Sequence, residues 1–578
     1  MAQSEFHFSP RPNRAAEIDW HSWNDDTFAK AKAADKPILL AISAVWCHWC
    51  HVMDETSYSD PLVIGYLNDR FIPVRVDNDR RPDVNARYNM GGWPTTAVLT
   101  PEGMTLTGAT YLPPDQMLRM VREIDAFYHE NKTLVANRVA SLTSKPKPPS
   151  EPAAPVELRA SMVERIVAEL GSAYDPEYGG FGTQPKFPQT DALELLLLEY
   201  RVSGEQRLYE IVAKTVLGMS RGGMYDHVEG GFFRYSTTRD WSVPHFEKMA
   251  EDHAGLLRVL STLLVVSNNP EFRPTLKSAT GYIMTTLRDK TSGLFGGSQD
   301  ADETYFALPR TERKTYQAPY VDRTSYSNWT AALAGAFFGV AAVLEDSQIA
   351  AAAAHALDTL HENLRDEDGL LYHFVVPGGT PQIRGLLTDQ AAYLRALLDA
   401  HGYTGERRFF ERARALADAI QTRLGTPEHG YYDHAALQGE LGNLVFKDRP
   451  LHDNALLADS LLRLSALCGE PQYRQRAEDT LTVYANTYAK AGSFAASYAR
   501  AVRRYVSEPS VLTIAGNIPE TQEFREVAAR LPDPLLCVQT VDPRTDARPA
   551  GAYLCRGAVC AAPVLRASEL GDAFAAIR

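Results

Sequence analysis

Cysteine is scarce: six in 578 residues, at positions 47, 50, 468, 537, 555 and 560. That is too few for a fold stapled by disulfides. No run of lysine and arginine stands out, and 72 acidic residues outnumber 59 basic ones for a net charge of -13. Neither nucleic acid nor an anionic membrane surface suits such a chain as partner. The opening "MAQSEFHFSPRPNRAAEIDW" has no apolar core of the kind a secretory signal carries. The longest apolar run, Ala331 to Leu344, falls short of the roughly 20 residues that span a bilayer. The expected location is cytoplasmic, where a CxxC is catalytic or metal-binding before it is structural.

The chain is too long for one hydrophobic core and divides by composition. The expected domains are an α/β domain over 1–143, a Pro-rich linker over 144–156 ("SKPKPPSEPAAPV" at its heart), a helical region over 157–505 and a small α/β segment over 506–578. In the first, "DDTFAKAKAAD" is a short helix with Asn24 as cap, and "PILLAIS" is a buried strand. "AVWCHWCHVM" follows at once. "DPLVIGYLND" is a helix capped at Ser59, "FIPVRVD" a second strand, and "TTAVLTPEGMTLTGATYL" two strands around a turn.

The CxxC at a helix start after a strand has a chemical meaning. Unpaired N–H groups and the positive end of the helix lower the pKa of the first cysteine, Cys47, and make it a nucleophile. Cys50 would resolve the mixed disulfide. His48 between them would add positive charge. Trp46 and Trp93 would offer an apolar docking surface, and Pro94, in "GGWPTTAVL", would position a substrate backbone. A competing metal reading uses Cys47, Cys50, His48 and His51; four ligands within five residues rarely reach tetrahedral geometry, so no metal and no other cofactor is expected.

The helical region repeats. Five units of an apolar helix, a polar turn and an amphipathic helix start at Asp191, His253, Thr330, Asp389 and Asp453. A lead-in helix after residue 158 and "FAASYARAVRRYV" bring the helices to twelve, the number for an (α/α)6 barrel of six hairpins, with the apolar helices inside. The Gly/aromatic loops between hairpins gather at one end and mark a cleft. The densest polar cluster there is "YDHVEGGFFRYSTTRDWSVPHFEKMAEDH". His245 and His452 would form an acid/base pair for an epimerase. Asp226 or Glu247 with Asp300 or Asp302 would form a carboxylate pair for a glycosidase. Phe233, Arg234 and Trp241 would line the bound molecule. Alternatively, Asp389 and Asp453 are helix caps, His245, Glu247 and Lys248 brace the barrel, and the aromatics only pack.

The stretches "KPILLAISAVWCHWCHVM", "GGWPTTAVLTPEG", "YGGFGTQPKFPQ", "GGMYDHVEGGFFRYSTTRDWSVPHFEKMAEDHA" and "YLCRGAVC" together resemble the thioredoxin-domain proteins related to spermatogenesis-associated protein. The resemblance implies a thioredoxin-like α/β domain followed by a six-hairpin barrel similar to N-acylglucosamine 2-epimerases. The CxxC and the Trp-Pro-Thr in thioredoxin order point to a thiol–disulfide oxidoreductase or redox sensor acting on a peptide or protein disulfide, or on a sugar or other small molecule held in the barrel cleft. A carbohydrate-active enzyme with an accessory redox module, and a ligand-binding scaffold, stand as alternatives. Thioredoxins carry a buried Asp six residues before the first cysteine; here that position is Ala41, which implies slow turnover.

Overall fold

The computed structural model describes residues 6–144, 156–267, 269–435, 440–516, 518–531, 533–541 and 548–577. The Pro-rich segment 145–155 lies outside them. The chain divides into two compact units: 1–154 with 436–448, and 155–435 with 449–578.

The first unit is built on four strands, β1 (Ile38–Ser43), β2 (Ile72–Asp77), β3 (Thr95–Leu99) and β4 (Thr105–Ala109), in the order β2-β1-β3-β4. β1 runs parallel to β2 and antiparallel to β3. Alternate side chains of β1 enter different cores, because a strand's side chains point to opposite faces in turn. Ile38, Leu40 and Ile42 join Trp23, Phe28 and Tyr88 on one face, while Leu39 and Ala41 join Met53, Leu67 and Val121 on the other. Helices α1 (Asp25–Ala34), α2 (His48–Glu55), α3 (Pro61–Arg70), α4 (Pro82–Tyr88), α5 (Pro114–Glu130) and α6 (Lys132–Ser144) complete it. Asn24 caps α1 as expected, accepting from the Thr27 N–H. The cap of α3 is Asp60, not Ser59: its carboxylate accepts from the N–H groups of Leu62 and Val63, with Pro61 at the first helical position where no N–H is needed.

An excursion from late in the chain belongs to this unit. Leu444 is fully buried among Trp23, Phe28 and Tyr88. The Tyr88 hydroxyl accepts from the Asn443 N–H at 2.7 Å and donates to Gly103 O at 2.7 Å. Gly103 has φ +85°, and a Cβ there would stand 2.5 Å from Gly442 Cα, so only glycine permits this approach.

The second unit contains the twelve expected helices in a closed ring. The inner helices are α8 (Thr190–Ser203), α10 (Ala250–Val266), α14 (Ser327–Leu344), α16 (Leu387–Thr404), α18 (Leu451–Cys468) and α20 (Ala496–Val506), each packed on the next and α20 on α8. The outer helices are α7 (Ala160–Ala173), α9 (Gln206–Arg221), α11 (Phe272–Tyr282), α15 (Ser347–Asn363), α17 (Arg407–Leu424) and α19 (Pro471–Tyr484). Two short helices, α12 (Glu303–Ala307) and α13 (Arg310–Arg313), lie in a loop at the mouth. Among the described residues only α14 is long and apolar enough to cross a membrane, and it is mostly buried in the ring. The fold is therefore an α/β domain followed by an (α/α)6 barrel.

The Gly/aromatic loops are tied to the inner ring by one recurring device. The N–H groups of Phe232, Leu371 and Tyr431 donate to His253 Nε2, Gln390 Oε1 and Asn454 Oδ1, each on an inner helix. Gly231 (φ +85°) must lack a Cβ, which would sit 2.8 Å from the Tyr282 ring.

After α20, strands Leu536–Val541, Ser510–Ala515, Gly551–Arg556 and Val559–Cys560 pair in that order, with helices Ile518–Ala528 and Leu570–Ala576. Cys555 and Cys560 face each other across the last hairpin as a disulfide.

Candidate functional site

In the first unit, Cys47 is the N-cap of α2. Its Sγ accepts from the Cys50 N–H at 3.1 Å, and its carbonyl accepts from Cys50 and His51 N–H groups. Cys47 and Cys50 are joined as a disulfide with Cα atoms 5.2 Å apart. Once reduced, a Cys47 thiolate would sit among the unpaired N–H groups of a helix start, the environment that lowers a thiol pKa. The Trp93–Pro94 peptide is cis and leads straight into β3.

The aromatic surface differs from expectation. Trp46 is buried, its indole N–H donating to Asp79 at 2.7 Å and its ring edge-on to Trp93 at 5.7 Å. The exposed aromatic is Trp49, half-exposed and tilted against Tyr111 at 5.3 Å. Its place between the two cysteines was the sequence signal for it. The two histidines separate as well. Burial, with the His7 ring alongside, lowers His51 to about 3, so it is neutral at physiological pH and lends Cys47 no charge. His48 stays partly exposed, edge-on to Trp49.

Ala41 lies in the core with Met53, so no acid stands at that position. The buried carboxylate of this region comes instead from α2 itself. Asp54 is fully buried and holds Arg75, cross-strand from Ala41, through two bonds of 2.8 and 3.0 Å.

In the second unit the inner helices begin at one end, the mouth, and there the predicted residues part company. His245 Nδ1 lies 3.0 Å from Glu247, and Arg234 lies 3.7 Å from the other Glu247 oxygen. The His245 ring stacks on Tyr235 at 4.9 Å. His452, exposed at the mouth, pairs with Asp191 at 3.3 Å; desolvation by the surrounding protein opposes its charge, but that carboxylate wins and raises it to about 9. These residues face the mouth.

Asp226 does not. It is buried and accepts from Lys248 and Arg313, each at 2.8 Å, and Lys248 rests over the Tyr282, Phe306 and Phe233 rings. Phe233 is thereby a wall of an ammonium cage, not a sugar platform. Trp241 is buried over Lys186, its indole N–H donating to Tyr178 O. Lys186 repeats the arrangement one hairpin earlier, donating to Asp175 at 2.6 Å while Arg239 holds both oxygens of that carboxylate. Asp302 caps α12 by accepting from the Tyr305 N–H. Asp300 is buried, accepts from the Ala301 N–H, and is pushed up to about 8 by burial. Asp389 accepts from His373 at 2.9 Å and from the Asn328 N–H, so it is not a helix cap.

Two mouth carboxylates were missed. Glu251 and Asp252 occupy the first turn of α10, where acids are ordinary partners of the helix dipole, so sequence alone does not single them out. Burial pushes Asp252 up to about 7, and its Oδ2 has no hydrogen-bond partner among the described residues. Partial desolvation by the surrounding protein raises the exposed Glu251 too, against the pull of His452 and Arg234. Asp453 is pushed up to about 6 by burial.

A group whose carboxyl is raised on folding binds its proton more tightly when folded. Its stabilising contribution is present below the unfolded pKa near 4 and is lost as pH rises through the folded value. For Asp252 that window runs from about 4 to about 7. Asp252→Asn is expected to flatten the fall of the thermal midpoint over that window. Melting curves of both proteins at four pH values would check it; identical slopes would refute the assignment.

The fold and site define the class: a thioredoxin-like CxxC domain on one chain with an (α/α)6 barrel. Residues 9–146 match the family Thioredox_DsbH, described as "Protein of unknown function, DUF255". The chain is 35% identical to spermatogenesis-associated protein 20 of Rattus norvegicus over 315 residues, and 33% identical to that of Homo sapiens over 315. Each match covers 49% of this chain and 39% of the relative, so it spans about two fifths of the relatives' length. The resemblance to the thioredoxin-domain proteins related to spermatogenesis-associated protein is thus shown. Cellobiose 2-epimerase from Spirochaeta thermophila superposes with a TM-score of 0.48 at 15% identity, covering 61% of this chain and 98% of its own. The ring of six hairpins rests on the helix packing described above, not on that superposition.

Proposed function

We propose that the protein is a thiol–disulfide oxidoreductase working through Cys47 and Cys50 on peptide or protein disulfides. The observation that carries it is Cys47 as N-cap of α2, disulfide-bonded to Cys50. In the reduced protein the Cys47 thiolate attacks a substrate disulfide, forming a mixed disulfide and releasing one substrate thiolate. Cys50 then attacks the Cys47 sulfur, restoring Cys47–Cys50 and releasing the second thiolate. The two electrons are returned by a low-molecular-weight or protein dithiol. Trp49 and Tyr111 give the substrate an apolar landing. The resolving step is slow, because Ala41 stands where an acid would take the Cys50 proton. Equilibration with dithiothreitol buffers, alkylation and mass analysis would report the Cys47–Cys50 couple. A pair that stays oxidised, or never re-forms, across the whole buffer range sinks the reading.

A second reading concerns the barrel mouth as a site for sugar chemistry. It rests on Asp252, a carboxyl that changes protonation near neutrality beside Arg234 and Glu247, as a general acid requires. Incubation with a panel of reducing sugars and disaccharides, followed by NMR, is expected to show epimerisation or hydrolysis that Asp252→Asn reduces about 100-fold. No turnover of any sugar would remove this reading and leave the first untouched.

A further inference from the structure

The inner ring was expected to be apolar, yet its lumen holds charge. Between the middle of the inner helices and their C-terminal ends lies a cavity of about 370 Å³, bounded at the far side by Ala528, Ala529, Leu531 and residues 533–538. Six arginines line it: Arg201, Arg258, Arg395, Arg463, Arg500 and Arg504. Four carboxylates line it: Glu194, Asp399, Asp459 and Asp533. Glu194 takes Arg395 and Arg500, Asp399 takes Arg258 and Arg463, and Asp459 takes Arg504. Asp533 is held instead by Arg556, which does not line the cavity.

Arg201 is left over. It donates Nη2 to Leu531 O at 2.7 Å, its Nε is buried with no acceptor, and no carboxylate is in ion-pair reach among the described residues. Burial lowers its pKa to about 10, with Asp533 acting on it only through space. The hydroxyl of Ser261, on the wall of the same cavity, is also buried without a partner. Helix C-termini attract cations, but that field fades beyond the last turn. Arg258 and Arg395 sit more than two turns from the ends of α10 and α16, so the helix ends do not account for them.

We propose that this cavity binds the phosphate dianion of a small phosphorylated molecule. The lining carries two more arginines than carboxylates, the guanidinium forks match a phosphate's oxygens, and Ser261 supplies a donor. The volume admits a ligand of a few carbons besides the phosphate and excludes a polymer. Arg500 is shared with the mouth, where it also lies 3.4 Å from Asp191, but the test reads neither disulfide exchange nor sugar turnover.

Calorimetric titration of the full chain with inorganic phosphate, at constant ionic strength held with chloride, is expected to show saturable binding to one site. Arg201→Gln should weaken it at least tenfold. Ser261→Leu, which fills the cavity without changing charge, should weaken it as much, with circular dichroism confirming that each variant is folded. A titration with no saturable heat overturns the proposal. So does binding that both folded variants retain. Succinate binding more tightly than phosphate would overturn the choice of phosphate as the recognised group.

Discussion

Cys47→Ser is expected to lose at least about 100-fold in the reduction of insulin disulfides, to the rate of buffer dithiol alone. Serine keeps the size and the hydrogen bond from the Cys50 N–H, so the helix start survives the change. What it removes is a thiolate, since a hydroxyl does not ionise near neutrality. Cys50→Ser should behave differently. Its attack on substrate proceeds, but the mixed disulfide at Cys47 has no resolving thiol and accumulates. Non-reducing gel shifts of Cys50→Ser with a model disulfide protein, absent in the double variant, distinguish the two roles. Wild type no faster than Cys47→Ser, with no trapped adduct, would end the oxidoreductase reading.

The largest expected loss of stability belongs to Asp226→Ala. This carboxylate is the shared partner of two buried cations, Lys248 with no exposed surface and Arg313 with 5%. Removing one member of a buried pair strands the other charge in a poor dielectric, at a cost of about 3–5 kcal/mol. Arg313 keeps Glu229 at 3.2 Å, whereas Lys248 keeps only Gly230 O and the aromatic cage, so Lys248 suffers most. Lys248→Met should cost less, because a thioether suits the cage of Tyr282, Phe306 and Phe233 and Asp226 retains Arg313. Urea denaturation followed by circular dichroism ranks the two. Asp226→Ala within about 1 kcal/mol of wild type, or milder than Lys248→Met, contradicts the account.

That pair also shows where sequence reading stops. The redox motif was legible because its parts are local: a strand, a CxxC at a helix start and a Trp-Pro-Thr before the next strand. The barrel was legible because repeated apolar helices can be counted. Asp226 read as a cleft acid because its partner Arg313 lies 87 residues away. Arg258 and Asp399 are 141 apart, so the charged lumen could not be seen from either helix alone. Trp241 and Phe233 looked like platforms because a loop aromatic carries no mark of which way it faces.

The segment 440–448 sets an order on synthesis. Leu444 fills the core of a domain whose other described parts end at residue 144, so that core waits for about 300 more residues to emerge. At 5–20 residues per second the delay is roughly 15–60 s. During it the site that receives Leu444, beside Trp23, Phe28 and Tyr88, has no cover from its own chain, and a chain cut before residue 440 would never supply one.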